Sequence, residues 1–296
     1  MTNGTQAPDM APPVRGRSLW QDALRRLSHN RAAVAAVVVL ALVVLLAVVG
    51  PWIAPHAYDE LYFDHVAIGP DLDAGFLFGT DTVGRDLFVR TLMGARISIL
   101  VALAATSVSL LIGILYGAIA GFVGGRVDNL MMRFVDIMYA LPFMFFVIIL
   151  MVVFGRNIVL MFLALGAVEW LTMARIVRGQ TLTLKNREFV EAAVASGVTR
   201  PRIILRHIIP NLLGPVAVYI TLTIPQVILV ESFLSFLGLG VQEPLTSLGV
   251  LISEGADEME TAPWMLIFPA TVLATMLFCF NFIGDGVRDA LDPKDR

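Results

Sequence analysis

Two carboxylates sit where charge is costly. Glu169 stands beside Trp170 inside an otherwise uncharged apolar run, 157–174, and Glu231 ends another, 212–230, opening the string ESFLSFLGLG. An ionised side chain at the centre of a membrane helix costs about 2.5–3.5 kcal/mol on insertion scales, so such a group should face a bundle interior or a water-filled path. Glu169 therefore reads either as a pathway-lining group or as a helix-end residue near the cytoplasm, and Glu231 as a pathway, gate or structural group. Pro225 lies in the same run as Glu231, where it should kink a helix that bends or rotates.

Covalent chemistry has no such candidates. The two lysines, Lys185 and Lys294, follow Leu184 and Pro293 instead of the glycine of a GK[ST] phosphate loop. There is no HExxH pair, no Cys/His metal spacing and no GxSxG elbow, and the four histidines are scattered. Cys279 is the single cysteine, so no disulfide can form within the chain. No catalytic, cofactor or metal residue is expected.

What the chain does offer is a basic loop, 175–210, between two apolar runs. It contains EAAVASGVTRPRIILRHIIP. Ala192, Ala193, Ala195 and Ser196 give one helix a small-residue surface that fits closely against another protein, and Gly197 ends that helix. Thr199 is placed to cap a second helix, with Pro201 in its first turn. Arg200, Arg202 and Arg206 suit lipid phosphates, acidic protein groups or the enforcement of topology. A second polar string, FGTDTVGRD at 78–86, precedes the run 97–125. Gly79 permits a turn, Thr80 or Asp81 can cap the following helix, and Val83, Leu87 and Leu92 fall roughly on one side. Asp86 and Arg90 have i,i+4 spacing. With Gly84 and Arg85, this segment reads as an amphipathic helix on the outer membrane surface or as an outer gate or docking element.

The elements that must carry these residues are membrane helices. The chain has 296 residues, 57% hydrophobic and 15% charged, too apolar for a soluble domain of this size. Runs at 32–55, 97–125, 137–155, 157–174, 212–230 and 262–284 each approach the ~20 residues needed to span. Lys and Arg gather in the N-terminal segment, at Arg126 and Arg133, in the 175–206 loop and in the C-terminal tail, whereas the alternate loops hold only Arg85, Arg90, Arg96 and Arg156. The positive-inside rule then places both termini in the cytoplasm. No cleavable signal peptide is evident in the polar first 30 residues, so the first span should direct insertion.

The expected organisation is a disordered, Pro-rich tail at 1–17 and a cytoplasmic interfacial helix at 18–31. A first transmembrane helix at 32–55 and an extracytoplasmic segment at 56–96 follow. A five-helix core at 97–284 contains the loop 175–210, and a cytoplasmic tail occupies 285–296. In the interfacial helix Ser18 and Gln21 form a capping-box signature, Trp20, Leu24 and Leu27 share a face, and Arg25, Arg26 and Arg31 offer charge to anionic lipid.

The loop's pattern of Glu-Ala-Ala, three residues, Gly, then Pro about a dozen residues on resembles the cytoplasmic coupling loop of ABC importer permeases. Beyond it, GRSLWQDA, FGTD with GRD, ARIVRGQTL, ESFLSFLGLGVQEP and FCFNFIGDGVRDALDPKDR look like the C-type permease of bacterial oligopeptide importers, over nearly the whole chain after Arg15. The resemblance implies an all-α integral membrane protein with six transmembrane helices, the type I ABC importer permease fold, in the bacterial inner membrane. It implies that Glu191 steadies the loop and its contact with an ATPase. It also implies partners: a homologous B-type permease, two ABC ATPases that bind ATP and Mg, an extracytoplasmic peptide-binding protein, and peptides as substrate. The permease itself would be no enzyme. Nickel, glutathione or another dipeptide-like solute fits the coupling loop equally well. A self-sufficient channel or secondary transporter is the alternative class, but it calls for paired intramembrane charges or inverted repeats that the sequence lacks.

Overall fold

A computed structural model describes residues 19–291. The expected disordered tail at 1–17, the Ser18 cap and the last five residues lie outside the described residues. The described chain is helical. Helix α1 (Leu19–His29) is followed at once by α2 (Arg31–Ile53), whose N-cap Asn30 accepts from the Ala33 N–H at 3.1 Å. Leu27 of α1 and Ala33 of α2 lie close against Gly286, tying the first helices to the end of the last.

A long irregular segment leads to α3 (Leu87–Val123), then α4 (Gly125–Ala140), α5 (Phe143–Phe154) and α6 (Ile158–Lys185). The short α7 (Glu188–Ala195) and α8 (Arg200–Ile203) precede α9 (Ile209–Phe236), and α10 (Leu248–Asp257) and α11 (Trp264–Leu291) complete the chain. Five helical stretches are long and apolar enough to cross a membrane: α2, α3, α6, the continuous run Arg200–Phe236, and α11. The third apolar run, 137–155, is divided between two helices. Helices α4 and α5 meet at a 78° bend and make a sixth span only when taken together. The cause is Pro142, which disfavours helical backbone at the residue before it, and Leu141 is accordingly extended (φ −77°, ψ 134°).

The centre of the bundle is the pairing of α3 with α6. Gly113, Gly117 and Gly121 recur every fourth residue along α3, opposite Met173, Ala174, Val177 and Thr181 of α6. Gly166 of α6 returns the arrangement against Ala105 and Val108. In lipid there is no water to expel between helices, so close backbone approach through small residues supplies the packing energy. Around this pair, Val101, Met161, Leu165, Val227, Ile228 and Met276 form a continuous buried core.

Candidate functional site

At one end of the bundle lies the α7–α9 segment. Helix α7 buries Val190 and Ala193 and leaves Glu191, Ala192 and Val194 exposed. It closes as a Schellman turn: the Gly197 N–H donates to the Val194 carbonyl at 3.0 Å and the Val198 N–H to the Ala193 carbonyl at 3.1 Å. Gly197 has φ +75°, the left-handed conformation this turn requires. Thr199 occupies the N-cap position, extended at φ −66° and ψ 146°, but its side chain makes no cap bond, so the expected hydroxyl cap is absent. Pro201 sits in the first turn as expected. The second helix is not a separate unit, because α8 passes through a π turn at Ile204–Ile208 directly into α9. Arg200 and Arg202 are exposed, and the Glu191 side chain makes no hydrogen bond or ion pair with any described residue.

The opposite end carries the 78–86 string, whose polar groups are mostly buried. Gly79 (φ +78°) and Gly84 (φ +84°) turn the chain where a Cβ would meet the Ile68 and Tyr62 carbonyls. The cap expected from Thr80 or Asp81 does not form. Asp86 caps the following helix instead, accepting from Phe88 N–H at 2.8 Å and Val89 N–H at 3.3 Å while its other oxygen meets His56 Nδ1 at 2.9 Å. Thr80 is spent on tying the segment down, accepting from Ile68 N–H at 3.0 Å, and its carbonyl takes the Trp264 indole N–H at 3.2 Å.

Asp81 accepts from its own turn at Val83 and Arg85 N–H, and its carboxylate meets Arg85 Nε at 2.6 Å and Arg90 Nε at 3.4 Å. The anticipated Asp86–Arg90 pair does not form. With Asp86 engaged as the cap, buried Arg90 turns to Asp81 and to Glu254 at 3.2 Å. Arg85 reaches across to Glu243 at 2.7 Å, and that hydrogen bond holds the Glu243 carboxyl below its ordinary range. Burial pushes Glu254 the other way, against the pull of Arg90. Nor is this a surface helix. Leu87 and Leu92 are buried and the helix runs unbroken into the span, while Val83 stays exposed in the turn before it.

Glu231 is fully enclosed. Its oxygens accept from Ser98 of α3 and Ser235 of α9, each at 2.8 Å, and Ser247, the N-cap of α10, donates to Ser235 at 3.1 Å. One carboxylate thus joins three helices through hydroxyl donors. Pro225 is buried in α9, which continues through both it and Pro215.

Glu169 is only partly buried, and its side chain makes no hydrogen bond or ion pair with any described residue. Beside it the Tyr139 hydroxyl of α4 meets Thr172 Oγ1, and Tyr219 of α9 interacts with both Thr172 and Glu169. Two ion pairs continue this contact between α4 and α6: Arg175 to Asp136 at 2.7 Å, with its guanidinium 4.0 Å over the Tyr139 ring, and Arg178 to Asp128 through two bonds of 2.6 and 2.7 Å. Sequence reasoning missed this ladder. The available signal was a pair of aspartates and a pair of arginines near adjacent apolar runs, charges that a membrane helix keeps only when they meet.

Comparison with known proteins adds independent information. Residues 113–296 match the family model "Binding-protein-dependent transport system inner membrane component", and residues 18–70 match "N-terminal TM domain of oligopeptide transport permease C". The oligopeptide transport system permease protein OppC of Haemophilus influenzae is 58% identical, covering 96% of this chain and 91% of that one. Its namesake in Escherichia coli K12 is 57% identical over 96% and 94%. The dipeptide transport system permease protein DppC of Bacillus subtilis is 44% identical over 94% and 87%. Among solved structures, a chain of the inward-facing MetNI methionine ABC transporter superposes with a TM-score of 0.56 at 17% identity, covering 69% of this chain and 96% of that one. That likeness places the helices in the expected type I importer-permease fold. A multi-pass membrane protein with this helix order and these relatives is a permease subunit, and the chain belongs to the family of binding-protein-dependent transport system inner membrane components.

Proposed function

We propose that this chain is one of two transmembrane subunits of an ATP-driven oligopeptide importer, oriented with both termini and α7 in the cytoplasm. A homologous permease pairs with it, and two ABC ATPases bind ATP and Mg and dock on α7. An extracytoplasmic binding protein delivers peptide at the end that carries residues 78–86. The observation that carries this reading is the continuity of the coupling segment: α7 presents Glu191, Ala192 and Val194 outward, turns at Gly197, and joins a helical run reaching Phe236. A displacement of α7 is therefore delivered to a spanning helix without an intervening flexible loop. The identity to oligopeptide permeases favours peptides, and the 44% identical dipeptide permease keeps shorter peptides within the same reading.

The test is reconstitution. The chain is copurified with its neighbouring subunits, placed in proteoliposomes, and assayed for ATP hydrolysis and uptake across a panel of di- to pentapeptides, nickel and glutathione. Uptake that needs nucleotide and the binding protein supports the proposal. Solute movement by this chain alone, without nucleotide, overturns it.

A further inference from the structure

The carboxylate of Glu169 has no counter-ion among the described residues. At 1.5 Å per residue it lies about 16 Å from the start of α6 and about 24 Å from its end, well within the ~30 Å hydrocarbon core. The nearest cation along the helix, Arg175, is about 9 Å further on and already held by Asp136 at 2.7 Å. Helix α6 turns its other face to α3, where Gly113 and Gly117 approach Met173 and Ala174, so Glu169 lies at the edge of that contact, toward Thr172 and Tyr219. Three hydroxyls from three helices gather near it: Thr172 stands three residues on along α6 and bonds Tyr139 of α4, and Tyr219 of α9 interacts with both Thr172 and Glu169. A charged group kept at this depth needs a partner, and the described residues beside it offer hydroxyl oxygens and an aromatic face, while the cation at that face, Arg175, is already paired with Asp136.

We infer that Glu169, with the hydroxyls of Thr172, Tyr139 and Tyr219, forms a mid-membrane subsite for the α-ammonium of the peptide in transit. An ammonium group has three donors and no acceptor, which matches a carboxylate flanked by hydroxyl oxygens. The face of Tyr139 already carries one cation, the Arg175 guanidinium, and aromatic faces attract ammonium in the same way. The chemistry suits a carrier of varied sequences, because every unblocked peptide has one α-ammonium whatever its side chains. A contact confined to that group is blind to sequence, and because Arg175 and Asp136 neutralise each other, a single carboxylate holds the peptide and lets it leave.

This inference rests on the importer reading, and the experiment separates the two. The assembled complex in nanodiscs, without binding protein, is treated with a hydrophobic carbodiimide, and modification of Glu169 is followed by mass spectrometry in the presence of tetra-alanine or N-acetyl-tetra-alanine. The expected result is that Glu169 is modified in the empty complex and that tetra-alanine protects it at least tenfold better than the acetylated peptide. Equal protection by both peptides, or by neither, overturns the subsite. So does an unreactive Glu169 in the empty complex, which means that a neighbouring subunit already supplies the cation. In parallel, Glu169→Gln should lower tetra-alanine uptake about tenfold, the loss of one charge-assisted hydrogen bond, with copurification yield as the check on assembly. A wild-type complex that takes up no tetra-alanine refutes the importer reading instead, whatever Glu169 does.

Discussion

Replacement of Gly117 by alanine isolates what holds the bundle together. A Cβ at this position would strike the Ala174 carbonyl oxygen and come within 2.9 Å of both the Arg178 amide nitrogen and the Val177 Cβ. Two of those atoms are backbone of α6, so a rotamer change cannot relieve the clash and the helices must separate. Overpacking of this kind costs about 1–3 kcal/mol. Against it stands the gain in helix propensity on replacing glycine by alanine, about 1 kcal/mol. Gly179 provides the internal control, because it lies on the same helix pair with nothing within 4 Å of the added carbon. Both substitutions share the propensity gain, so the difference between them is the steric cost alone. At about 2–4 °C per kcal/mol, Gly117→Ala should melt roughly 2–12 °C below Gly179→Ala in detergent, read by size-exclusion recovery after stepped heating. Equal melting of the two variants refutes the argument that close α3–α6 approach is the central contact.

Other expectations follow from the same geometry. Gly197→Val forces a β-branched residue to φ +75° and should abolish peptide-stimulated uptake in the assembled importer while ATP hydrolysis persists; normal uptake per ATP contradicts the coupling role. A double-mutant cycle on Asp128 and Arg178 should show a coupling of about 1 kcal/mol, modest because Arg178 is 34% exposed; additive single effects would show that the pair is idle. The Arg85 bond lowers the folded pKa of Glu243, so its stabilisation is full above the ordinary carboxylate value and is lost as pH falls through the lowered one. With Glu243 66% exposed, the effect is at most about 1 kcal/mol, and the melting gap between wild type and Glu243→Gln should close as pH falls below the ordinary carboxylate range. Ser98→Ala and Ser235→Ala should each cost about 1 kcal/mol and combine non-additively, because both donate to Glu231; strict additivity argues against a shared hub.

Hydrophobic run length was enough to reveal most of the spanning helices, because the bilayer imposes one length on every crossing. It did not reveal the bend in the third, since 137–155 is apolar throughout and only Pro142 marks the break. The Gly197 turn was legible because a left-handed C-cap has a narrow sequence signature. The outer segment was not, and the reason lies in competition. Thr80, Asp81 and Asp86 all have cap-forming side chains, and the choice among them is made by distant groups: Ile68 and Trp264 engage Thr80, Arg85 and Arg90 engage Asp81, and Asp86 remains. The charges of the α4–α6 ladder were in plain sight but their pairing was not, because matching Asp128 with Arg178 requires knowing that the chain reverses between them.

The run Arg200–Phe236 shows how local rules can work against each other and still produce a useful element. Pro210 lacks the N–H that would bond one turn back, and its ring crowds the carbonyl at that position, which argues for a break just where α7 must be connected to the membrane. The chain avoids the break by widening the turn before it: the Ile209 N–H bonds back to the Ile204 carbonyl, five residues away, over Ile204–Ile208. Ile204 and Ile208 are buried against Phe122, Ala118 and Val177, so packing holds the wide turn in place. Far along the same rod, Glu231 is fixed by hydroxyls from α3 and α9, with Ser247 of α10 bonded to Ser235. The helix is thus held at both ends, by apolar packing near α7 and by hydrogen bonds near α10, and the two differ in what they allow. Apolar contacts permit sliding with little change in energy, whereas a buried carboxylate that loses its donors is left desolvated and unpaired. Motion driven through α7 should therefore pivot α9 about its Glu231 end.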